Sequence, residues 1–327
     1  MTVTETSAPS DFSHPALFYN GDDEYLAGLV PFIREGLALG EPVAVAVPEA
    51  RLRTLREALG TSADGVRWID MEQAGRNPGR IIATVLRAFA DDHPDSHVRI
   101  IGEPIWPGRN AMEYPACAQH EALINPAFAG RDVTIVCPYD LAGLDAEVIA
   151  DAHATHPVLW EKGDHRRMSR DYDPDAVVEH YNRPIPAPAD AVELTVSESA
   201  DMAGARRWAA EQGRRFGLNA ERQGDLELIV TELATNSLCH GAGPSRVRLW
   251  TDDTYLICEV HDVGRLDDPL AGRRPASAGV PGGRGLLLVH QLCDLVRTHT
   301  TGHGTTQYAM MALTPAERSV AHGLLAQ

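Results

Sequence analysis

Three polar side chains recur at four-residue intervals in the segment TELATNSLCHG, residues 231–241, namely Glu232, Asn236 and His240. On an α-helix, side chains four residues apart lie on one face. A carboxylate can act as a general base and an amide oxygen can bind magnesium, so Glu232 and Asn236 together could serve group-transfer chemistry. The alternative is that all three are ordinary polar residues on the solvent-facing edge of a helix.

The apolar residues around this segment predict the helix that must position these side chains, over about residues 221–240. Its apolar face consists of Leu226, Ile229, Val230, Leu233 and Leu238. Such spacing is typical of an amphipathic helix that packs on a core. Glu232 and Asn236 then lie at the border of the apolar face, where a pocket would form.

Two later segments carry residues that suit a nucleotide. Asp262 and Gly264, in HDVG, end an apolar strand, where a carboxylate can accept a base amine and a glycine allows close backbone approach. Gly283 and Gly285, in PGGRGLLLV, precede an apolar helix whose first backbone amides can face phosphate oxygens. Taken alone, each segment is also typical of ordinary structure: a turn after a strand, and a flexible loop before a buried helix.

The order of these three segments resembles the GHKL, or Bergerat, ATP-binding fold of histidine kinases, gyrase-type ATPases and anti-sigma-factor kinases. The resemblance covers about residues 190–313 and implies an α+β two-layer domain that binds ATP and Mg²⁺. It implies that Glu232 polarises the attacking hydroxyl, Asn236 holds magnesium and Asp262 accepts the adenine amine. It also implies a mobile lid over residues 265–282. The other implied nucleotide-site residues are His240, Gly264, Gly283, Arg284, Gly285, Leu286 and Thr305.

The region before the ATP-binding motifs indicates which kind of GHKL protein this is. A two-component histidine kinase needs a phosphoacceptor histidine on a helical hairpin there, and residues 191–225 contain no histidine. SESADMAGARRWAAEQGRRFGL, leading into DLELIVTELATNSLCHG, instead resembles compact actinobacterial proteins similar to anti-sigma-factor serine/threonine kinases. The resemblance implies phosphorylation of a serine or threonine on a STAS-type anti-sigma-factor antagonist, or capture of a sigma factor.

One departure from that pattern keeps other functions open. Such proteins commonly have a basic residue just before the histidine of this motif, where this chain has Cys239. Arg284 is a candidate to replace the lost phosphate contact. The first alternative is a non-catalytic, ATP-gated module that binds a partner such as a sigma factor. The second is a sensor histidine kinase.

The first half of the chain alternates short apolar runs with helical patterns. This predicts a three-layer α/β domain with a largely parallel sheet, because the runs show little apolar/polar alternation and so suit strands covered on both faces. The predicted strands are ALFY (16–19), PVAVAVP (42–48), VRWID (66–70), HVRIIGE (97–103) and VTIVCPYD (133–140). The predicted helices cover about residues 22–39, 49–60, 79–92, 111–129 and 144–154.

Residues 14–160 also resemble the MEDS sensory domain, which is associated with regulators that respond to small molecules. The resemblance rests on FSHPALFYNGDDEYLAGLVPFIREGLALGEPVAVAVPEARLRTLREAL, IGEPIWPGR, CAQHEALINPAFAG, CPYDLAGL and DAHATHP. It implies an unidentified small-molecule ligand for this domain.

The strand ends of this domain predict where that ligand would bind, because ligands of open α/β sheets bind beyond the carboxyl ends of strands. The candidate sensory pocket consists of Glu103, Trp106, Arg109, Tyr139 and Asp140. The alternative is a structural ion pair between Glu103 and Arg109, with Trp106 capping the core.

Three histidines of the same domain are interpreted as structural. His153 and His156 lie three residues apart at a predicted helix end. They could bind metal, but without a third ligand in view a helix C-terminal cap is favoured. His14, before Pro15, is interpreted as structural too.

Composition limits the partners and the compartment. The formal net charge of −17 repels phosphate backbones and anionic membranes, so nucleic acid and membrane surfaces are not expected partners. The five cysteines are well spread and form no CxxC pair, as expected of reduced thiols. The sequence shows neither a signal peptide nor a run of about 18 apolar residues. Together these features predict a cytoplasmic protein.

The predicted organisation is a MEDS-like sensory domain over residues 14–160, a charged and proline-rich linker over 161–190, the ATP-binding domain over 191–313 and a helical tail over 314–327. Related kinases often form homodimers, but the composition does not decide the oligomeric state.

Overall fold

The computed structural model describes residues 12–161, 165–241, 243–276 and 283–325. The chain divides into two compact units, Met1–Tyr181 and Asn182–Gln327. None of the helices in the described ranges has the length and apolarity that a membrane crossing requires.

Within the described part of the first unit, seven strands form one sheet. They are β1 Pro15–Tyr19, β2 Val43–Val47, β3 Val66–Asp70, β4 Val98–Gly102, β5 Val133–Asp140, β6 Val158–Glu161 and β7 His165–Met168. Their order is β3-β2-β4-β5-β1-β6-β7, and every pair is parallel except β6 with β7. All residues of β1, β2 and β4 are buried. Successive side chains of a strand point to opposite faces, so both faces of this sheet are covered, which confirms the three-layer α/β prediction.

The helices of the first unit follow the predicted pattern. They are α1 Gly21–Leu39, α2 Glu49–Leu59, α3 Met71–Ala74, α4 Pro78–Ile81, α5 Arg87–Asp91, α6 Tyr114–Phe128, α7 Ala146–Thr155 and α8 Pro174–His180. A π-helical stretch, Ile82–Leu86, joins α4 to α5, so the helix predicted over 79–92 is continuous but irregular. Asn77 caps the start of this helix, and its side chain accepts a hydrogen bond from the Gly79 amide. The next residue, Pro78, occupies the first helical position. On one side of the sheet, Leu29, Ile33, Leu52 and Leu55 pack with Val45.

The segment predicted as a linker, residues 161–190, contains regular structure in its first part. Strand β7 pairs antiparallel with β6 at the edge of the sheet. Helix α8 packs Val177 and Tyr181 against Ala118 and Ala122 of α6. The charged composition suggested a spacer, but charges on an edge strand and on the outer face of a short helix are compatible with folding. Residues 182–188 have no regular secondary structure.

The second unit has an antiparallel sheet with helices on one face. Its strands and helices are β8 Val192–Val196, α9 Met202–Arg215, α10 Ala220–His240, β9 Ser245–Thr251, β10 Tyr255–Asp262, α11 Gly285–Leu292, β11 Leu295–Thr301, β12 Gly304–Ala312 and α12 Pro315–Leu325. Among the described residues, the strand order is β11-β12-β10-β9-β8, with every neighbour antiparallel. Leu226, Ile229 and Leu233 of α10 share a core with Leu249 and Leu256 of the sheet. The α+β prediction is therefore confirmed.

Alternation along β10 decides which residues face the helices. Leu256 and Val260 lie in the core beneath α10. Glu259 points to the other face, where it accepts hydrogen bonds from Arg248 at 2.6–2.8 Å. Asp262 is two residues beyond Val260, so it continues the helix-facing row.

Candidate functional site

The second unit forms a cavity of about 540 Å³ between α10, the end of β10, the segment 264–276 and the start of α11. This volume is in the range of small-molecule sites. Helix α10 contributes Leu233, Asn236, Ser237 and His240 to its wall. Their spacing of three and four residues places them on one helix face, as expected for a pocket at the border of an amphipathic helix. Asp262, Gly264, Gly283, Gly285, Leu286 and Thr305 of the predicted nucleotide site also line it.

Two hydrogen bonds fix the carboxylate of Asp262 at this cavity. The Ser237 hydroxyl donates to Oδ2 at 2.5 Å, and the Gly264 amide donates to Oδ1 at 2.7 Å. Each carboxylate oxygen keeps a lone pair, so the group can still accept a hydrogen bond from a bound ligand. Ser237, which is buried directly beside Asn236 in the ELATNS motif, is not among the residues predicted from sequence.

Gly264 and Thr305 organise the turn that follows Asp262. A Cβ atom at Gly264 would lie 2.7 Å from the Cα of Gly241, so the turn reaches the end of α10 only with a glycine there. Thr305 is the β12 partner of Asp262, and its hydroxyl accepts a hydrogen bond from the Leu266 amide at 3.0 Å. The threonine therefore holds the first residues of the predicted lid against the sheet.

The start of α11 lies directly against the polar residues of α10. A Cβ atom at Gly285 would be 2.5 Å from Oε2 of Glu232 and 3.5 Å from Nδ2 of Asn236. Glu232 thus borders the cavity behind Gly285, although it is not part of the described lining. Within the described ranges, the buried Nδ2 of Asn236 has no hydrogen-bond partner. Arg284 is exposed and does not belong to the described lining.

The predicted lid, residues 265–282, is described as far as residue 276, and residues 277–282 lie outside the described residues. Gly272 has a φ of +74°, and a Cβ there would be 2.5 Å from the Cβ of Leu286, so the lid backbone contacts α11. Arg273, which the sequence analysis missed, is buried, and burial lowers the pKa of its guanidinium to about 10.

The cavity residues fit a nucleotide with magnesium. Apolar side chains such as Leu233, Val260 and Leu266 can contact a base, and the Asp262 carboxylate can accept its amine. The Cβ position of Gly283, just before α11, is open, so phosphate oxygens could lie there near the positive end of the helix. The Asn236 side chain supplies an amide oxygen, a ligand type that magnesium accepts, beside an amide nitrogen that has no described partner.

The predicted sensory residues of the first unit fall into three groups. In the first group, Glu103 is buried and accepts a hydrogen bond from the Tyr25 hydroxyl at 3.3 Å, and burial raises the pKa of its carboxyl to about 8. Asp140 lies 3.9 Å from Nη2 of Arg51, whose guanidinium stacks on the Tyr25 ring. Glu103 and Asp140 therefore share the surroundings of Arg51, which the sequence analysis did not select.

In the second group, Trp106 and Arg109 contact each other in the loop that follows β4. The Arg109 guanidinium lies 3.9 Å from the ring centroid of Trp106 and donates to the backbone carbonyls of Pro104, Gly75 and Arg76. These contacts explain the position of the Arg109 guanidinium. The structural ion pair between Glu103 and Arg109, which the sequence left open, is not needed to explain it.

Tyr139 forms the third group, because its position in β5 places it on the face opposite to Asp140. It shares that face with Cys137, and its ring packs edge-on against His156.

His156 also approaches Glu121, and so does His14. Burial and His156 lower the pKa of His14 to about 4. Burial acts to raise the pKa of Glu121, but the nearby imidazoles of His14 and His156 outweigh it and lower that pKa. His153, by contrast, stacks on Phe18 with ring centroids 4.8 Å apart.

Comparison with protein families assigns both units. A model of the MEthanogen/methylotroph, DcmR Sensory domain, MEDS, matches residues 13–157. A model of the histidine kinase-like ATPase domain matches residues 195–309. No curated protein matches the chain. The chain therefore contains a MEDS domain over residues 13–157, followed by a histidine kinase-like ATPase domain over residues 195–309.

Proposed function

We propose that this protein is a cytoplasmic signalling regulator whose ATPase-family domain is a Mg-ATP-dependent serine/threonine protein kinase of the anti-sigma-factor type. The combination of a sensory and an ATPase-family domain supports a signalling role. The observation that carries the kinase proposal is the arrangement of Asn236 and Asp262 around one cavity, with Glu232 beside Gly285 at its border. The proposed substrate is a STAS-type anti-sigma-factor antagonist, and a sigma factor is a further proposed partner. A small molecule at the MEDS domain would control the activity.

Each site residue has a defined task in this proposal. ATP with Mg²⁺ supplies the phosphoryl group and neutralises its negative charge. Asp262, held by Ser237 and Gly264, accepts the base amine and so selects adenine. The Asn236 amide oxygen holds the magnesium ion. Glu232 accepts a hydrogen bond from the substrate hydroxyl and takes its proton as the oxygen attacks.

Cys239 bears on the choice between a kinase and a non-catalytic, ATP-gated binding module. Its side chain is exposed and is not among the described lining residues. The absence of a basic residue at this position therefore leaves the described cavity wall unchanged and is no argument against catalysis.

The test separates phosphoryl transfer from nucleotide binding. Partner protein is captured from the native cytoplasm on the full chain, with and without ATP, and is then incubated with labelled ATP. Acid-stable label on serine or threonine is expected. Glu232→Gln should lower transfer by about 10²–10⁴-fold, the usual contribution of a general base, and leave ATP affinity within about twofold. Asp262→Asn should weaken ATP binding itself.

Glu221→Gln is the matched control, because Glu221 is an exposed carboxylate in the first turn of the same helix. Full transfer by the Glu232 variant would refute the role of Glu232. Partner capture with ATP but without label would identify the non-catalytic module. Acid-labile label on histidine would identify a histidine kinase.

A further inference from the structure

Four side chains that can bind metal converge inside the first unit. His14 precedes β1, Glu121 lies in α6, Cys137 lies in β5 and His156 follows α7. Each is at most 1% exposed. One ligand atom from each of the four lies within 4.8 Å of all the others. The ATP cavity, which belongs to the second unit, has no part in this cluster.

The orientation of His14 is fixed from the side away from the cluster. Its Nδ1 lies 3.1 Å from Oδ1 of Asn125. The Asn125 amide nitrogen donates to the carbonyls of Thr155 at 2.8 Å and Ala122 at 3.2 Å, which identifies the atom facing His14 as the oxygen. An amide oxygen only accepts hydrogen bonds, so Nδ1 of His14 carries a proton.

The orientation of His156 follows the same logic. Its Nδ1 lies 2.9 Å from the carbonyl oxygen of Ala152, which can only accept. The nearby Thr155 hydroxyl donates to the Asp151 carbonyl at 2.8 Å and so accepts from the imidazole as well. Nδ1 therefore carries the proton here too. In neutral form, both histidines direct the lone pair of Nε2 at the cluster centre, as metal-binding histidines with a hydrogen-bonded second nitrogen do.

Two imidazole lone pairs, a thiol and a buried carboxylate meet at the centre of the cluster. Nε2 of His14 and Nε2 of His156 each lie 3.3 Å from Oε2 of Glu121, and Sγ of Cys137 lies 3.4 Å from Nε2 of His14. Two lone pairs aimed at one buried carboxylate oxygen repel each other unless a positive charge lies between them. A buried, uncompensated carboxylate costs several kcal/mol, so this charge has to be supplied.

Three of the six distances between the ligand atoms match those of a tetrahedral metal site, and all six are within 4.8 Å. Zinc binds nitrogen and oxygen at about 2.0–2.2 Å and sulfur at about 2.3 Å, which places neighbouring ligand atoms of a tetrahedron about 3.3–3.6 Å apart. The three distances quoted above are 3.3, 3.3 and 3.4 Å. Two imidazoles, one thiolate and one carboxylate are all ligands that zinc accepts.

We propose that His14, Glu121, Cys137 and His156 form a closed, four-ligand site for a zinc-type divalent metal ion in the MEDS domain. Binding displaces the thiol proton of Cys137 to solvent, so that a divalent ion, one thiolate and one carboxylate sum to zero charge. A neutral site suits complete burial. The ligands come from four separate elements, so the ion would also hold the first unit together.

The experiment uses the full chain in Cys239→Ser form, because Cys239 is the exposed thiol and would bind added metal by itself. As purified, the protein should contain one zinc-type ion per chain. After removal with a chelator, cobalt(II) should produce the intense visible bands of tetrahedral coordination and a thiolate-to-cobalt charge-transfer band. Zinc added to the cobalt-loaded protein should displace the cobalt. In a separate sample, zinc added to the metal-free protein should raise its melting temperature.

Substitutions at Cys137 and Asn125 test the ligand set, with Cys117→Ser as the control. Cys137→Ser should lose the charge-transfer band, whereas Cys117→Ser should keep it, because Cys117 is a buried thiol of the same unit outside the cluster. Asn125→Ala should lower cobalt affinity by about 10–100-fold, as loss of a partner that orients a ligand does. If Cys137→Ser does not fold, the Cys239→Ser spectrum decides alone. Metal-free protein that shows no charge-transfer band with cobalt and no gain in melting temperature with zinc would overturn the proposal, and a protonated histidine would then supply the charge.

Discussion

At the residue scale, the position of the Asp262 carboxylate depends on Ser237. Removing the hydroxyl deletes the 2.5 Å hydrogen bond to Oδ2 and leaves Gly264 as the other donor described for this carboxylate. Hydrogen bonds to charged groups contribute about 1.5–3 kcal/mol, and part of this supports the orientation that a base amine needs. Ser237→Ala should therefore weaken ATP binding by about 5–20-fold, as measured by calorimetric titration of the full chain.

Ser245→Ala is the matched control for this substitution. Ser245 is equally buried in the same unit, and its hydroxyl makes a 3.4 Å hydrogen bond to the Val196 carbonyl away from the cavity. Its affinity for ATP should equal that of the parent protein. Unchanged affinity in Ser237→Ala would mean that Gly264 alone positions Asp262.

Residue spacing in the sequence predicts some neighbours and misses others for a physical reason. The helical period places Asn236 on the pocket-facing side of α10, and the strand period places Asp262 on the helix-facing side of β10. Both residues can therefore be assigned to one cavity from the pattern within their own elements. The same strand periodicity separates Tyr139 from Asp140, which the sequence analysis had placed in one pocket. Arg51 reaches Asp140 only through tertiary packing, and periodicity within one element contains no information on such contacts.

At the element scale, helix α12 is attached to the second unit through Glu317. Its carboxylate accepts a hydrogen bond from Arg222 of α10 and another from the Thr314 amide at 2.7 Å. Burial acts to raise the pKa of Glu317, but the Thr314 hydrogen bonds and Arg222 outweigh it, so the pKa is lowered from its usual 4.5. A carboxyl with a lowered pKa stabilises the fold above its unfolded-state pKa and loses that contribution as the pH falls.

Glu317→Gln should therefore lower the free energy of unfolding by about 1–3 kcal/mol at pH 7. The difference from the parent protein should shrink as the pH falls below about 4.5, where the carboxyl of the parent also becomes protonated. Urea unfolding at a series of pH values measures this. Glu211→Gln, an exposed carboxylate on α9, is the control. A difference that stays constant down to pH 3 would show that the charge of Glu317 is not what stabilises α12.

Elements with strong periodicity are predicted well, and elements with mixed character are not. The apolar runs of β1, β2 and β5 and the long amphipathic helix α10 match their predicted positions, because burial imposes a clear pattern on each. Strand β7, with the sequence HRRM, carries charges that resemble a linker, and only pairing with β6 makes it a strand.

At the scale of the whole molecule, the proposed metal ligands could not be found from sequence spacing. Glu121 and Cys137 lie on a helix and a strand that are consecutive in the chain, but His14 reaches them because β1 inserts beside β5 in the sheet. The order of strands is a property of the complete fold. His156 was interpreted as a helix cap because its neighbours in sequence include no third ligand.

Two separate hydrophobic cores predict how the whole chain responds to ligands. The clusters around Leu29 in the first unit and Leu249 in the second share no residue. Two thermal transitions are therefore expected. Leu29→Ala and Leu249→Ala, both replacing fully buried leucines, should each lower one transition and so assign it, at a cost of about 2–5 kcal/mol.

Once the transitions are assigned, ATP provides the decisive measurement. A ligand that binds only the native state at 100 times its Kd stabilises that state by about 2.7 kcal/mol. For a unit the size of residues 182–327, this corresponds to a rise of about 5–11 °C in melting temperature. Calorimetry with Mg-ATP should show this rise in the transition that Leu249→Ala lowers, whereas the transition that Leu29→Ala lowers should stay within about 1 °C of its position without ligand. A single transition, which either leucine substitution lowers and Mg-ATP raises as a whole, would show instead that the two cores unfold as one cooperative unit.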